Sequence, residues 1–189
     1  MEKHTFDTFI LGKEINLVSL SEETVINTNW CNWYNDEETT LNMQQHYFPN
    51  TKEMQVEYYE KNIKNNPQKL QLGIWHKNDN LLIGVISLSD INYINRTAEF
   101  AVIIGEKKYR NFNNFIEASK LIIKHGFESL NLNRIYGGST SKEIDIMFCK
   151  LLGFSHEGIS RKAVFKDNKY VDIYKHALLK ENYKKQYNE

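Results

Sequence analysis

Residues 98–118 read AEFAVIIGEKKYRNFNNFIEA, and this stretch decides the fold. Its first eight residues, AEFAVIIG (98–105), are strand-like, and Phe115, Ala118, Ile122 and Phe127 then recur at the spacing of an amphipathic helix. A strand running into a helix leaves the first helical N–H groups unpaired, with the positive end of the dipole beside them. Such a junction suits a phosphate. It is commonly built from glycines, because a backbone without Cβ turns sharply and approaches a ligand closely. Here Asn111, Asn113 and Phe115 stand instead. The junction is either a cofactor site with unusual residues or one that has stopped working.

Upstream, KEINLVSL (13–20) alternates apolar and polar residues and predicts a first strand. Ser21 is placed to cap a helix running toward Trp30, Trp33 and Tyr34, which NDEETT then interrupts. Thr51 opens a second helix with Met54, Tyr58 and Ile63 facing inward, ended by Asn65, Asn66 and Pro67. KLQLGIWH (69–76), LLIGVISLSDI (81–91) and 98–105 predict an antiparallel meander, its first turn made by KNDN (77–80). Downstream come a helix over IEASKLIIKHGFESL, a short strand at NRIYGGST (133–140) and a helix at 143–154 stopped by Gly153. A hairpin turning at KDNK (166–169) closes the chain. Neither a repeat nor a linker divides residues 1–189, so one domain is expected.

Lys plus Arg number 24 and Asp plus Glu number 24, so net charge is zero and gives no electrostatic footprint for nucleic acid or an anionic membrane. No apolar run approaches the roughly 18–20 residues that span a bilayer. The start, MEKHTFDTF, has no signal-type apolar core. Cys31 and Cys149 are too few for a disulfide scaffold and lack metal-site spacing, as do the scattered His125, His156 and His176. A cytoplasmic, metal-free protein is expected, with a homodimer left open.

The order of elements, together with AEFAVIIGEKKYR, EASKLIIKHGFESLNLNRIYGG, KLLGFSHEGISR and NKYVDIYKHALL, resembles the GNAT acetyltransferases. The likeness is greatest to their ribosomal-protein and amino-sugar branch and covers nearly the whole chain. It implies an α+β fold: a mixed, mostly antiparallel sheet of about seven strands flanked by about four helices. It also implies acetyl-CoA, with the pantetheine arm along Val102, Ile103 and Ile104 and the pyrophosphate on Arg110, Asn111, Phe112, Asn113, Asn114 and Phe115. The family's Arg/Gln-x-x-Gly-x-Gly/Ala pattern falls on Arg110, Asn113 and Phe115, so only the first element is kept. Asn tolerates positive φ better than other non-glycine residues, which would let Asn111 and Asn113 hold the loop. The Phe115 ring either fills the diphosphate's place or turns into the core.

The resemblance brings Glu99 forward as the base that deprotonates the acceptor amine; a strand-end pairing with Arg96 or a lysine is the alternative. Cys149 falls where many members place a proton-donating tyrosine, and is otherwise a small buried hydrophobe. Lys142 could meet a CoA phosphate or stay solvated. WCNWYNDEET is similar to a W-x-N-D segment of this branch, making Trp33 and Asp36 candidate acceptor contacts, or a packing staple and a turn cap. The function implied is direct ternary-complex acetyl transfer to a primary amine, a nucleotide-linked amino sugar first and a protein N-terminus second. A catalytically degenerate binding or assembly protein is the alternative, and a different acyl donor a third.

Overall fold

The computed structural model describes residues 6–43 and 48–187. Eight strands form one sheet: β1 (Thr8–Leu11), β2 (Ile15–Ser19), β3 (Leu70–His76), β4 (Leu81–Asn92), β5 (Thr97–Ile104), β6 (Arg134–Ser139), β7 (Ser155–Lys166) and β8 (Lys169–Leu179). Their order is β1-β2-β3-β4-β5-β6-β8-β7, antiparallel throughout except for β5 against β6. That parallel pair is joined by α5 (Phe112–Glu128), because parallel strands need a crossover.

The helices are α1 (Glu22–Asn27), α2 (Trp30–Trp33), α3 (Glu37–Thr40), α4 (Lys52–Asn62), α5, α6 (Lys142–Leu152) and α7 (Lys180–Tyr187). Short polar side chains set most of the starts. Ser21, Asp36, Thr51, Asn111 and Ser141 each accept a bond from the backbone N–H three residues on. Gly153, at φ 77°, ends α6 in the left-handed conformation that favours glycine.

Two apolar layers cover the sheet. Ile122, Ile123 and Phe127 of α5 and Phe148 and Leu152 of α6 pack on one face, while Trp30 and Trp33 with Val18, Val25 and Val85 form the other cluster. Among the described residues the sheet has eight strands rather than about seven, and there are seven α-helices rather than about four. The predicted first helix breaks at Thr28, whose backbone is extended and whose hydroxyl donates 2.6 Å to the Thr24 carbonyl. β1 and α7 were not foreseen, being short and largely polar or exposed. α7 is anchored by Tyr183, whose ring lies 4.9 Å from that of Phe127. In α4 the buried residue is Gln55, whereas Met54, expected inward, is 47% exposed along the rim of a hollow.

β5 and β6 pair only at Thr97–Arg134, Ala98–Ile135 and Glu99–Tyr136. β5 continues to Ile104 and β6 to Ser139, so the sheet splits just past Glu99. This wedge positions the candidate site.

Candidate active site

Two hollows meet at β5. One, of about 640 Å³, follows the split and is walled by residues 99–104, the start of α5 at Arg110, Asn111, Phe112 and Phe115, and Ile144, Met147 and Phe148 of α6. Its middle is an apolar slot and its mouth a helix N-terminus. The second, of about 750 Å³, lies on the opposite side beneath α4 and includes Tyr58, Gln55, Lys69, Gln71, Ser87 and Ser89. Both share Met43, Ala101, Val102 and Ile103.

The wall of the first hollow contains Val102, Ile103 and Ile104. The start of α5 reaches its shape differently from the reading of the sequence. Asn111 is extended at φ −132°, not left-handed, and its Oδ1 accepts from the Asn114 N–H at 3.0 Å. Asn113 lies within α5 and has no positive φ. The loop therefore needs no glycine conformation, and its asparagines act as cap and brace. Asn114 is buried, its Nδ2 donating to the Tyr109 carbonyl at 3.0 Å, and walls neither hollow. The first α5 amides, those of Phe112 and Asn113, precede any intrahelical partner.

Phe115 turns toward the core. Its ring meets Phe148 edge to face at 5.5 Å, and it remains part of the slot's wall. Phe112, 64% exposed, is the ring that stands at the mouth. Arg110 is held rather than free. Its Nε and Nη2 donate to the carbonyls of Ile104 and Gly105, and Nη1 to Glu38 at 2.9 Å. Lys107 joins Asp36 at 2.9 Å and Glu38 at 2.8 Å. Asp36, the N-cap of α3, and Glu38 within it thus sit on both cations beside the α5 start.

Asp36 also caps α3, so its carboxylate is already engaged by Thr39, Lys107 and Arg110. The hydrogen bond from Lys107 is the largest cause holding its carboxyl well below the usual range. An acceptor contact for Asp36 is corrected accordingly: its bonds are structural. Trp33 is corrected for a plainer reason. It is 2% exposed, its Nε1–H donates to Glu106 at 3.0 Å, and its ring lies where a Cβ on Gly105 would be. It is a staple. Cys149 faces β7, near the His156 backbone, and is not a wall of either hollow; burial pushes its thiol up. Lys142 is an exposed first residue of α6 outside the slot.

Glu99 lies at the split, on the strand face shared with Ala101 and Ile103 and opposite Ser89. Burial, and then the charge of Asp90, raise its carboxyl above the ordinary value. Lys69 acts weakly the other way. Sequence reasoning missed Lys69, Gln55 and the serines of β4, whose strand spacing reads only as packing. It also missed His176, which walls the slot from β8. No cluster of three or more His, Cys, Asp or Glu able to hold a metal occurs among the described residues, and no described helix is long and apolar enough to cross a membrane.

A mostly antiparallel sheet split between parallel neighbours, with a helix start at the mouth, is the architecture of acyltransferases of the GNAT type. The chain belongs to that family: residues 16–143 match the acetyltransferase (GNAT) domain. It is 31% identical over 103 residues to spermidine N(1)-acetyltransferase of Escherichia coli (strain K12), covering 53% of this chain and 54% of that one. The chain thus spans about half the length of that relative. With the spermidine N(1)-acetyltransferase of Vibrio cholerae it is 30% identical over 129 residues, 67% of this chain and 72% of the relative. A crystal structure of spermidine N-acetyltransferase from Vibrio cholerae, with CoA and spermine, superposes with a TM-score of 0.80 at 22% identity, covering 90% of this chain and 98% of that one. That likeness is one of fold.

Proposed function

We propose that the protein transfers an acetyl group from acetyl-CoA to a primary amine, in a ternary complex where donor and acceptor enter from opposite sides of β5. The observation carrying this reading is the meeting of the two hollows at β5, beside Glu99 and its raised carboxyl pKa. The apolar slot fits a pantetheine arm, and the open amides of Phe112 and Asn113 fit a pyrophosphate. An amine arrives mostly as ammonium; a carboxylate with a raised pKa is a fitting base to take one proton from it.

The acceptor we favour carries negative charge or neutral polar groups near its amine, a nucleotide-linked amino sugar before a protein N-terminus. The second hollow supports this: its described walls carry Lys69, Gln55, Gln71 and two serines and no Asp or Glu. Gln55 is 3% exposed and its Nε2 has no hydrogen-bond partner among the described residues, leaving a buried donor for an acceptor group of the ligand. A polyamine, the substrate class in the relatives' names, would meet Lys69 with like charge.

Calorimetry with acetyl-CoA tests the donor half. Micromolar binding is the expected result; no binding would return the chain to a binding or assembly role. In the same titration Glu38→Gln is expected to tighten acetyl-CoA by up to about fivefold, the modest effect of releasing exposed ion pairs, by freeing Lys107 and Arg110 for phosphate. An acceptor panel tests the other half. Lys69→Gln is expected to raise KM for an anionic amino sugar by about fivefold and to leave or lower that for spermidine. The reverse pattern would make the acceptor a polycation.

A further inference from the structure

Three residues distant in the sequence meet behind the slot. Asp145 of α6, 4% exposed, bonds through Oδ1 to Nδ1 of His176 and through Oδ2 to Nδ1 of His156, both at 2.8 Å. A carboxylate only accepts, so both imidazoles present Nδ1–H to it and are left with a lone pair on Nε2. His156 is largely on the surface. His176 is 2% exposed, stacked on Phe148 at 4.5 Å between ring centroids, with Phe154 edge-on at 5.2 Å.

That packing fixes where the lone pair looks. A Cβ placed on Gly137 would stand 3.2 Å from His176 Nε2 and 3.2 Å from the Phe100 carbonyl oxygen. Gly137 directly follows Tyr136, the last β6 residue paired with β5, and His176 is a wall of the slot. The nitrogen therefore points into the crotch of the split, where the absent side chain leaves room. Among the described residues nothing bonds to it. An acceptor atom of a buried ring, aimed into a cleft, is what a ligand group completes.

We infer that His176, oriented by Asp145, carries the proton from the attacking amine nitrogen to the departing CoA sulfur. This rests on the acetyl-transfer reading above. An ammonium acceptor must lose two protons, and Glu99 takes the first. The neutral amine then attacks the thioester carbon, forming the C–N bond and leaving a positively charged nitrogen and a negatively charged oxygen. His176 Nε2 removes the second proton from nitrogen. As the carbonyl re-forms and the C–S bond breaks, the imidazolium returns that proton to sulfur. The products are the amide and CoA thiol, and the imidazole ends neutral, as it began. Asp145 supports the transient imidazolium, as the buried carboxylate of a catalytic triad does. Burial, the largest influence, pushes the His176 pKa down from the ordinary histidine value, which keeps the resting ring neutral and able to accept.

His176→Gln is compared with the unmodified chain using two donors: acetyl-CoA and a thioester of an acidic arylthiol, whose thiolate leaves without a proton. With acetyl-CoA, kcat is expected to fall by about 10²–10⁴-fold in a variant that still folds and binds acetyl-CoA, its melting temperature lowered by the lost bond to Asp145. With the aryl thioester the loss should be much smaller, since only removal of the nitrogen proton still uses the ring. Asp145→Asn, a positioning variant, should lower kcat by less and leave KM in place. Independently of turnover, the ¹⁵N resonance of His176 Nε2 should move when CoA is added. Equal losses with both donors, or an unmoved Nε2 resonance, would overturn the inference. If the unmodified chain is active and His176→Gln is equally so, the proton carrier alone falls. If the unmodified chain binds acetyl-CoA and acetylates no amine, the acetyl-transfer reading falls first and takes this inference with it.

Discussion

Glu99→Gln is expected to lower kcat by about 10²–10⁴-fold while acetyl-CoA binds as before, the signature of a missing base. The argument rests on position and on charge. Glu99 is the last β5 residue paired to β6; it walls the slot and lies on the strand face of Ala101 and Ile103, which line both hollows. Its carboxyl is raised, first by burial and then by Asp90, so it holds a proton at a pH where an ordinary glutamate has lost it. Only the ionised form accepts a proton from the amine, so kcat/KM should climb with pH through this raised pKa. Stability runs the other way. A folded-state pKa above the unfolded one stabilises the fold below the unfolded value, and that contribution is lost as pH rises through the folded value. The glutamine carries no such charge, so Glu99→Gln should be the more stable protein at neutral pH and lack this part of the pH slope. Activity down with melting temperature up separates a lost base from a damaged fold. Full activity in the variant, or an acid limb still at its original pH, would remove Glu99 from the chemistry.

The succession of elements was legible because its signals are local. The alternation in KEINLVSL, the Ser21 and Thr51 caps, the 98–105 strand and the spacing of Phe115, Ala118, Ile122 and Phe127 all appear where expected. The resemblance implied a pantetheine arm along Val102, Ile103 and Ile104, but nothing within β5 or β6 announces where their pairing ends. The phosphate junction was half legible. Its asparagines were seen, but were assigned to positive φ, whereas Asn111 works through its side chain as a helix cap. A cap and a left-handed turn favour the same residue type, so the type alone does not choose between them.

Side-chain partners from distant elements were illegible for a different reason. Asp145, His156 and His176 are separated by 11 and 31 residues from the carboxylate, and only the packing of α6 on β7 and β8 brings them together. Without that pairing the histidines read as scattered. The same holds for Lys107 and Arg110, which meet the acids of α3 more than sixty positions away in the chain. Charge composition sees only that the totals cancel; the fold decides which hollow lacks carboxylates.

Trp33 separates the two kinds of evidence most sharply, because an aromatic beside an Asn-Asp segment looks equally like a substrate platform and a staple. Its burial chooses the second. Trp33→Ala removes a side chain that is 2% exposed and is expected to destabilise the protein by about 3–5 kcal/mol, the range for emptying a large aromatic from a core. Trp33→Phe keeps most of the packing and loses the Nε1–H bond to Glu106, which Asn29 also supports at 3.0 Å, and should cost only about 1 kcal/mol. Denaturant unfolding measures both. The ring also covers Gly105, and Gly105 supplies a carbonyl that holds Arg110, so Trp33→Ala should weaken acetyl-CoA more than Trp33→Phe does. Neither variant should change KM for the acceptor, because the indole lines no part of the hollow beneath α4. A Trp33→Phe protein of full stability but raised acceptor KM would put the ring back against the substrate. A large loss of stability with KM intact would place Trp33 with Trp30 in the cluster that fixes the first helices to the sheet, and with them the α3 acids that face Lys107 and Arg110.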